Sequence, residues 1–256
     1  MKQLIAFTKK ELTEQWRSGK ITILGIIFLL FGVMNPAVAK LTPWMMELMA
    51  DQLAEQGMAV GEVTVTAMTS WGQYYKNAPM VLLIFVVLSA GILTTEYQKG
   101  TLINMLTKGL SRTTVLAAKG VTLLLEWSVA YWMLYGVTYI YTVLFWDNSI
   151  VKQNGAGALL LYLVGILLIA LILLFSTIFT TGTAVIGAVG GCVILSYLLG
   201  MIPTLTKYLP TYLLSAGNLL TDAVKVSEFV PALLISAGIV IGAGFVGTIV
   251  FNKKML

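Results

Sequence analysis

The sequence has no histidine, a single cysteine and few charged residues. Histidine and cysteine are the usual protein ligands of zinc, haem and iron–sulfur clusters, so those centres have no ordinary ligand set here, and one cysteine cannot form an intrachain disulfide. Charged residues make up 11% of the 256 residues and hydrophobic residues 58%. Soluble domains carry about 25% charged residues. The composition therefore predicts an integral membrane protein.

The loop that cradles ATP phosphates in P-loop ATPases is also missing, because G-x-x-x-x-G-K-[ST] does not occur. The chain therefore cannot bind and hydrolyse ATP through such a loop. Without histidine, and with Cys192 lying between glycine and valine, the common nucleophile–base pairs of enzymes are missing as well. The net charge of +5 fits basic loops at a membrane surface better than a nucleic-acid partner.

Six apolar stretches are long enough to cross a bilayer. A hydrocarbon core of about 30 Å needs about 20 helical residues, because lipid offers no partner to an unpaired backbone group. The uncharged run between Lys152 and Lys207 is too long for one span, and we expect it to turn at the polar cluster 180–183. The sequence predicts an all-α fold with one transmembrane domain over residues 1–256 and spans over residues 21–39, 78–95, 121–145, 156–179, 183–202 and 230–251.

The basic residues predict which side the termini face. Six spans place both termini on one side, and eleven of the sixteen lysines and arginines fall on that side. Because basic loops are retained in the cytoplasm, we expect both termini to be cytoplasmic. A cleaved signal peptide ending at residues 37–39 is disfavoured, since the basic stretch before the first apolar run is about 20 residues long, more than a signal peptide has.

The first twenty residues have the periodicity of an amphipathic helix. Such a helix lies in the membrane interface, with its apolar face toward the acyl chains and its cations toward the headgroups. It is either a plain anchor or a lever that joins the first span to a cytoplasmic partner. The apolar arc consists of Leu4, Ile5, Thr8, Leu12 and Trp16. The basic residues opposite are Lys2, Lys9, Arg17 and Lys20.

The loop between the second and third spans, residues 96–119, is the most informative segment. Gly100 can end the helix that leaves the membrane, and Gly109 can end a short helix that begins near Thr101. A short apolar helix with a charged rim is suited to entering a groove on a partner, although an ordinary basic loop has a similar composition. The apolar ridge consists of Leu102, Ile103, Met105 and Leu106. The rim consists of Glu96, Lys99, Lys108 and Arg112.

The motif order in this loop resembles the permeases of the type-2 ATP-binding-cassette (ABC) export family. The order is Glu96, then Gly100-Thr101-Leu102, then Ser111-Arg112 and Lys119, following the second of six spans. The resemblance extends over essentially the whole chain and implies that residues 96–119 form a coupling helix that docks on an ATPase subunit. One departure is Gly109, where the family often has proline two residues before the Ser-Arg pair. The turn is therefore expected to be less rigid.

The same resemblance implies the partners and the location. ATP and Mg are expected on a separate ABC-type ATPase subunit present in two copies, and this chain is expected to hold no cofactor. A second copy of the chain and membrane lipid are the other partners, in a bacterial plasma membrane, with a dimer interface mainly on the first and fifth spans. Residues 203–231 are implied to form an outer re-entrant helix-turn-helix, although interfacial anchoring by Tyr208 and Tyr212 accounts for the segment nearly as well.

Two features within the spans have more than one interpretation. Glu126 lies in the third span, where an ionised carboxylate costs several kcal/mol unless paired. We expect it to pair with Lys119, two helical turns earlier, or with a base of the amphipathic helix, unless it handles substrate or protons. Gly187 and Gly191 form a G-x-x-x-G motif that allows close helix packing, either within one subunit or between two subunits.

Together these patterns predict the permease subunit of an ATP-driven exporter that works by alternating access. The apolar spans favour a hydrophobic or amphipathic cargo, such as a membrane-active peptide or a lipophilic drug. The alternative is an ion-coupled secondary transporter that uses Glu126. It fits less well, because such transporters usually have carboxylates or broken helices at the middle of the bilayer.

Overall fold

Six helical segments within the described residues are long and apolar enough to cross a membrane, so the predicted all-α membrane fold is confirmed. The computed structural model describes residues 2–49, 64–107 and 109–254. The spans are α2 (Lys20–Leu48), α3 with α4 (Ala67–Ser89 and Gly91–Lys99), α6 (Arg112–Phe145), α7 (Asn154–Ile178), α8 (Gly182–Gly200) and α9 (Val230–Lys253). The shorter elements are α1 (Lys2–Arg17), α5 (Thr101–Thr107) and 3₁₀ segments at Asn148–Ile150, Thr206–Tyr208, Pro210–Thr221 and Val226–Phe229.

Local sequence determines where several of these helices begin and end. The hydroxyl oxygens of Ser111 and Thr181 cap α6 and α8 by accepting hydrogen bonds from the backbone N–H groups of Thr114 and Ala184. The turn between α7 and α8 therefore lies at the polar cluster predicted for it. Helix α4 ends at Gly100, whose φ of 65° lies in the left-handed region that glycine adopts without steric cost.

Helix α1 and the C-terminal end of α9 lie at one end of the bundle, which we call the terminal face. Helix α1 packs against the start of α6, and Lys254 Nζ donates hydrogen bonds of 2.9 and 3.1 Å to the carbonyls of Thr177 and Ile178 at the end of α7. The ammonium group is favourable there, because a helix carries partial negative charge at its C-terminus. The opposite face carries the turn at Asn148 and the 3₁₀ segment Pro210–Thr221.

The segment predicted to re-enter the membrane consists of 3₁₀ segments joined by turns. Leu213, Ala216, Leu219 and Leu220 in the longest of these segments are buried, and it packs mainly against α7. The Tyr212 ring stacks on Phe229, with 4.9 Å between centroids. The segment is therefore held against the bundle, and its re-entry into a membrane stays a prediction.

A cluster of aromatic rings fills the centre of the bundle. Trp127 of α6 is fully buried, and its ring centroid lies 5.0 Å from those of Phe85 and Tyr131 and 6.0 Å from that of Phe28. The indole N–H donates a 3.1 Å hydrogen bond to the carbonyl of Tyr162. These contacts join α2, α3, α6 and α7. Because lipid gives no hydrophobic driving force between helices, such close packing carries much of a membrane bundle's stability.

Gly165 of α7 has no side chain, and the Trp127 ring occupies the space where one would lie. A Cβ atom built on Gly165 would overlap the indole, which the surrounding rings hold in place. We expect Gly165→Ala to destabilise the purified protein by roughly 1–3 kcal/mol, as overpacked cores do. Thermal melting in detergent measures the change. Gly136→Ala on α6 is the control, because its Cβ would meet open space and alanine favours helix. Equal melting of the two variants would contradict this packing.

Candidate functional site

A buried ion-pair network lies at the terminal face, where α1, α4 and α6 meet. Lys119 of α6 is 1% exposed, and its Nζ lies 2.9 Å from Glu11 Oε2 of α1 and 3.1 Å from Glu96 Oε2 of α4. It also donates a 2.7 Å hydrogen bond to the carbonyl of Ile92. The Glu96 contact is an ion pair without hydrogen-bond geometry, since Oε2 of Glu96 has no hydrogen-bond partner. One buried ammonium group thus connects three helices.

Lys10 completes the network from the solvent side. Its Nζ lies 2.9 Å from Glu11 Oε1, 2.7 Å from Glu14 Oε2 and 3.4 Å from Glu96 Oε1. Burial lowers the pKa of Lys10, but its hydrogen bonds to Glu14 and Glu11 outweigh burial, so the net pKa is raised. The hydrogen bond from Lys10 also lowers the pKa of Glu14. Lys10 and Glu14 are therefore both charged at neutral pH.

The three carboxylates of this network are as close together as the ligands of a metal ion. One oxygen each of Glu11, Glu14 and Glu96 lies within 4.8 Å of the others. The Lys10 ammonium contacts all three at 2.7–3.4 Å and neutralises charge within the group. Buried charges are tolerated only when paired. The arrangement is that of an ion-pair network whose effect is to hold helices together.

The network explains which face α1 turns toward the bundle. Of the residues predicted to form its apolar arc, Leu4 packs on the core and Leu12 is half-buried, whereas Ile5 and Trp16 are 67% and 65% exposed. Ile5 and Trp16 point away from the protein, as residues in contact with lipid would. The interfacial location of α1 itself stays a prediction. The buried residues of α1 are Phe7, Thr8, Glu11 and Gln15.

Helix α5 forms where the coupling helix was expected, but its apolar residues do not make one exposed ridge. Leu102 is 1% exposed and belongs to the core, while Met105 and Leu106 pack partly against that core. Residues 102, 105 and 106 share one side of a helix, and that side faces the bundle. Only Ile103 of the predicted ridge is exposed, at 47%, so a four-residue docking ridge is wrong. We call the exposed residues the α5 face: Thr101, Ile103, Asn104 and Thr107.

Two residues of the predicted charged rim point toward the protein. Arg112 Nη1 donates hydrogen bonds of 2.6 and 2.5 Å to the carbonyls of Phe251 and Lys254, at the C-terminal end of α9. Glu96 points into the ion-pair network. These two residues hold the segments before and after α5 against the bundle, and the direct contact of Arg112 with a partner stays a prediction. Lys108 lies outside the described residues.

The predicted pair between Lys119 and Glu126 is wrong, because Glu11 and Glu96 engage Lys119. In the described part of the chain, no lysine or arginine nitrogen lies within 4.0 Å of the Glu126 carboxylate. Its Oε1 is buried without a hydrogen-bond partner. Sequence spacing favoured a neighbour on the same helix, whereas the structure provides closer carboxylates from two other helices.

The G-x-x-x-G motif on α8 faces outward. Gly187 and Gly191 are exposed, and a Cβ atom built on either would meet nothing within 4 Å. Across residues 2–49, 64–107 and 109–254, these two glycines therefore mediate no close helix packing within the subunit. Their surface is available to lipid or to a second copy of the chain.

Sequence reasoning missed Glu11 and Lys10, although they complete the network. The usable signal was that Glu11 follows Phe7 by four positions, which places a carboxylate on the buried side of an amphipathic helix. Its partner Lys119 lies 108 residues later in the chain. A single sequence gives no measure of that proximity.

A family model described as "ABC-2 family transporter protein" matches residues 5–218. The match includes nearly all of α1, the ion-pair network, α5 and the first five spans. No curated protein matches the chain.

Removal of the buried cation tests the network. We expect Lys119→Met to destabilise the protein by roughly 3–5 kcal/mol, because Glu11 and Glu96 would lose their buried cation and keep only the more exposed Lys10. Lys99→Met is the matched control, since Lys99 lies exposed on α4 and its loss should change stability by less than about 0.5 kcal/mol. Thermal melting in detergent compares the two. Equal stability of the two variants would show that the network contributes no net stabilisation.

Proposed function

The chain belongs to the ABC-2 family of transporter proteins, and we propose that it is the membrane subunit of an exporter powered by a separate ATPase. Membrane subunits of this family are non-catalytic permeases that generally pair with an ATP-binding subunit. Under the proposal, ATP and Mg bind only to that partner. Two ATPase subunits and two copies of this chain would form the complete exporter.

The α5 face is the observation that carries the proposal. It presents Ile103 beside the polar side chains of Thr101, Asn104 and Thr107, while Leu102 anchors the helix in the core. An exposed apolar residue within a polar surface is suited to a groove on a partner, where the apolar group packs and the polar groups set the register. Because Leu102 fixes α5 to the core, a movement of the partner would be transmitted to the spans.

The route of that movement follows from the contacts at the terminal face. Glu96 lies in the last turn of α4, and Arg112 begins α6, so α5 is connected at both ends to spans. Lys119 and Glu11 connect the same region to α1. ATP-driven closure of the partner would displace α5, α1 and α6 together. The energy comes from ATP binding more tightly to the closed state, as every driven conformational change requires.

We propose that the terminal face is cytoplasmic, in a bacterial plasma membrane. Most basic residues lie on this side, and basic loops are retained in the cytoplasm. The opposite face, with the segment Pro210–Thr221, would then face outward and cover the exit. A second copy would meet the outward surface of α8 at Gly187 and Gly191, where close helix approach is sterically possible.

The proposed cargo is hydrophobic or amphipathic, such as a membrane-active peptide or a lipophilic drug. The support is the lack of charge in most of the span surface: α8 carries no charged residue, and its exposed side chains are largely apolar. A path between two such surfaces would offer no partner to a strongly hydrophilic polymer.

Substitution at the α5 face tests the docking role. We expect Ile103→Asp to abolish co-purification of the proposed ABC-type ATPase subunit, because a carboxylate would replace the apolar contact. Ile150→Asp is the matched control: Ile150 is 44% exposed, close to the 47% of Ile103, but lies at the opposite face. The measurement is the amount of ATPase retained by the tagged permease.

Both variants should melt at the wild-type temperature, which distinguishes lost docking from lost folding. Leu102→Asp would not make that distinction, because Leu102 is buried. Full retention of the ATPase by Ile103→Asp would contradict the docking role. Transport that follows a pH gradient without the ATPase, and is lost in Glu126→Gln, would instead favour an ion-coupled secondary transporter.

A further inference from the structure

A large apolar cavity lies inside a single copy of the chain, between α3, α7, α8 and α9. Its volume is about 580 Å³, within the range of about 300–1,000 Å³ that ligand pockets occupy. The segment Pro210–Thr221 closes it on the side of the opposite face. Residues 186–199 of α8 form one long wall, which at 1.5 Å per residue extends about 20 Å.

Among the described residues, no charged side chain lines the cavity. The side-chain hydroxyl groups in this lining are those of Ser196, Tyr197 and Thr211, and those of Ser196 and Thr211 lie 2.9 Å apart and bond to each other. Water needs two to four polar partners to remain in a cavity, and this lining does not provide them. The cavity therefore suits a neutral, apolar occupant.

The cavity opens sideways, toward the surface that the spans present to a membrane. Its floor is deeply buried, with Val189 at 1%, Leu168 at 5% and Leu82 at 6% exposure. Its rim is exposed, with Leu83 at 63% and Ile194 at 61%. Helix α8 stands at this rim, and only a small share of its apolar residues is buried in the subunit. An occupant can therefore enter from lipid without passing through water.

We propose that this cavity binds one hydrocarbon chain of a membrane lipid. Protein interiors are close-packed, and a void of this size would leave its lining without contacts. At the depth of the spans the surrounding solvent is lipid hydrocarbon, which matches the lining in chemistry and has access through the rim. A chain inserted along α8 would connect that helix to α3, α7 and α9. The inference rests on the chain being a multi-pass membrane protein and does not depend on ATP-driven export.

Photochemical labelling of the whole protein tests the proposal. The probe is a phosphatidylcholine with a diazirine in the middle of one acyl chain, mixed into phosphatidylcholine vesicles that contain the protein. After irradiation, mass spectrometry locates the labelled residues. We expect label on the floor at Val189 and Leu168, which lipid lying along the outer surface cannot reach. Ile241 of α9 is 72% exposed and reports that surface lipid.

A matched pair of glycine variants tests whether floor labelling requires the cavity. Gly190 lines the cavity, and a Cβ atom there meets nothing within 4 Å, so Gly190→Leu should fill space without disturbing the fold. We expect it to reduce floor labelling roughly tenfold, which corresponds to about 1.4 kcal/mol of binding free energy. Gly244→Leu, on the exposed side of α9, should leave floor labelling unchanged, and both variants should keep the labelling of Ile241.

Three results would overturn the proposal. One is the absence of label from the floor residues Val189 and Leu168 while Ile241 is labelled. Another is floor labelling that Gly190→Leu does not reduce, because the label would then arrive by another route. The third is an unlabelled floor together with efficient cross-linking between the Cys192 residues of two copies, which would show that a second copy covers the cavity.

Discussion

The buried ammonium group of Lys119 is the constraint on which the terminal face depends. It lies between carboxylates of α1 and α4 while belonging to α6, so these three helices share one charge-compensated contact. A buried charge that loses its partner is strongly destabilising. Separate movement of these helices would leave buried charges unpaired, so they are expected to move together. Arg112 adds a second attachment, from the start of α6 to the end of α9. Between these two attachments lies α5, the short helix through which we propose that an ATPase acts.

The rest of the bundle divides into a tightly packed part and one exposed span. Trp127 and its neighbouring rings join α2, α3, α6 and α7, and the space at Gly165 is matched to the indole. Helix α8 packs mainly on α7 and leaves both an outward small-residue surface and an apolar cavity beside it. A movement that begins at the ion-pair network can thus reach α8 through packed helices. A second copy and a lipid chain would act on α8 from its two sides.

Periodicity and composition were sufficient to predict the class of fold, because lipid forces each apolar stretch into a helix. Gly100 and the polar cluster before α8 similarly showed where helices end, since both are local properties. The partners of charged groups could not be predicted in the same way. Lys119 pairs with Glu11, which lies on a distant segment, and Oε1 of the nearby Glu126 that spacing favoured has no hydrogen-bond partner among the described residues. The prediction of a four-residue docking ridge was wrong for a related reason. Apolar residues of a short helix can pack on the core or contact a partner, and only the measured burial distinguishes Leu102 from Ile103.

Amide hydrogen exchange in wild type and Glu11→Gln tests most directly whether the network holds α1 and α5 as one unit. The carboxamide keeps the shape of Glu11 but removes the charge that faces Lys119. If the network holds the two helices together, exchange becomes faster in both α1 and α5, with α7 unchanged. Faster exchange in α1 alone, with α5 as protected as in the wild type, would contradict this coupling.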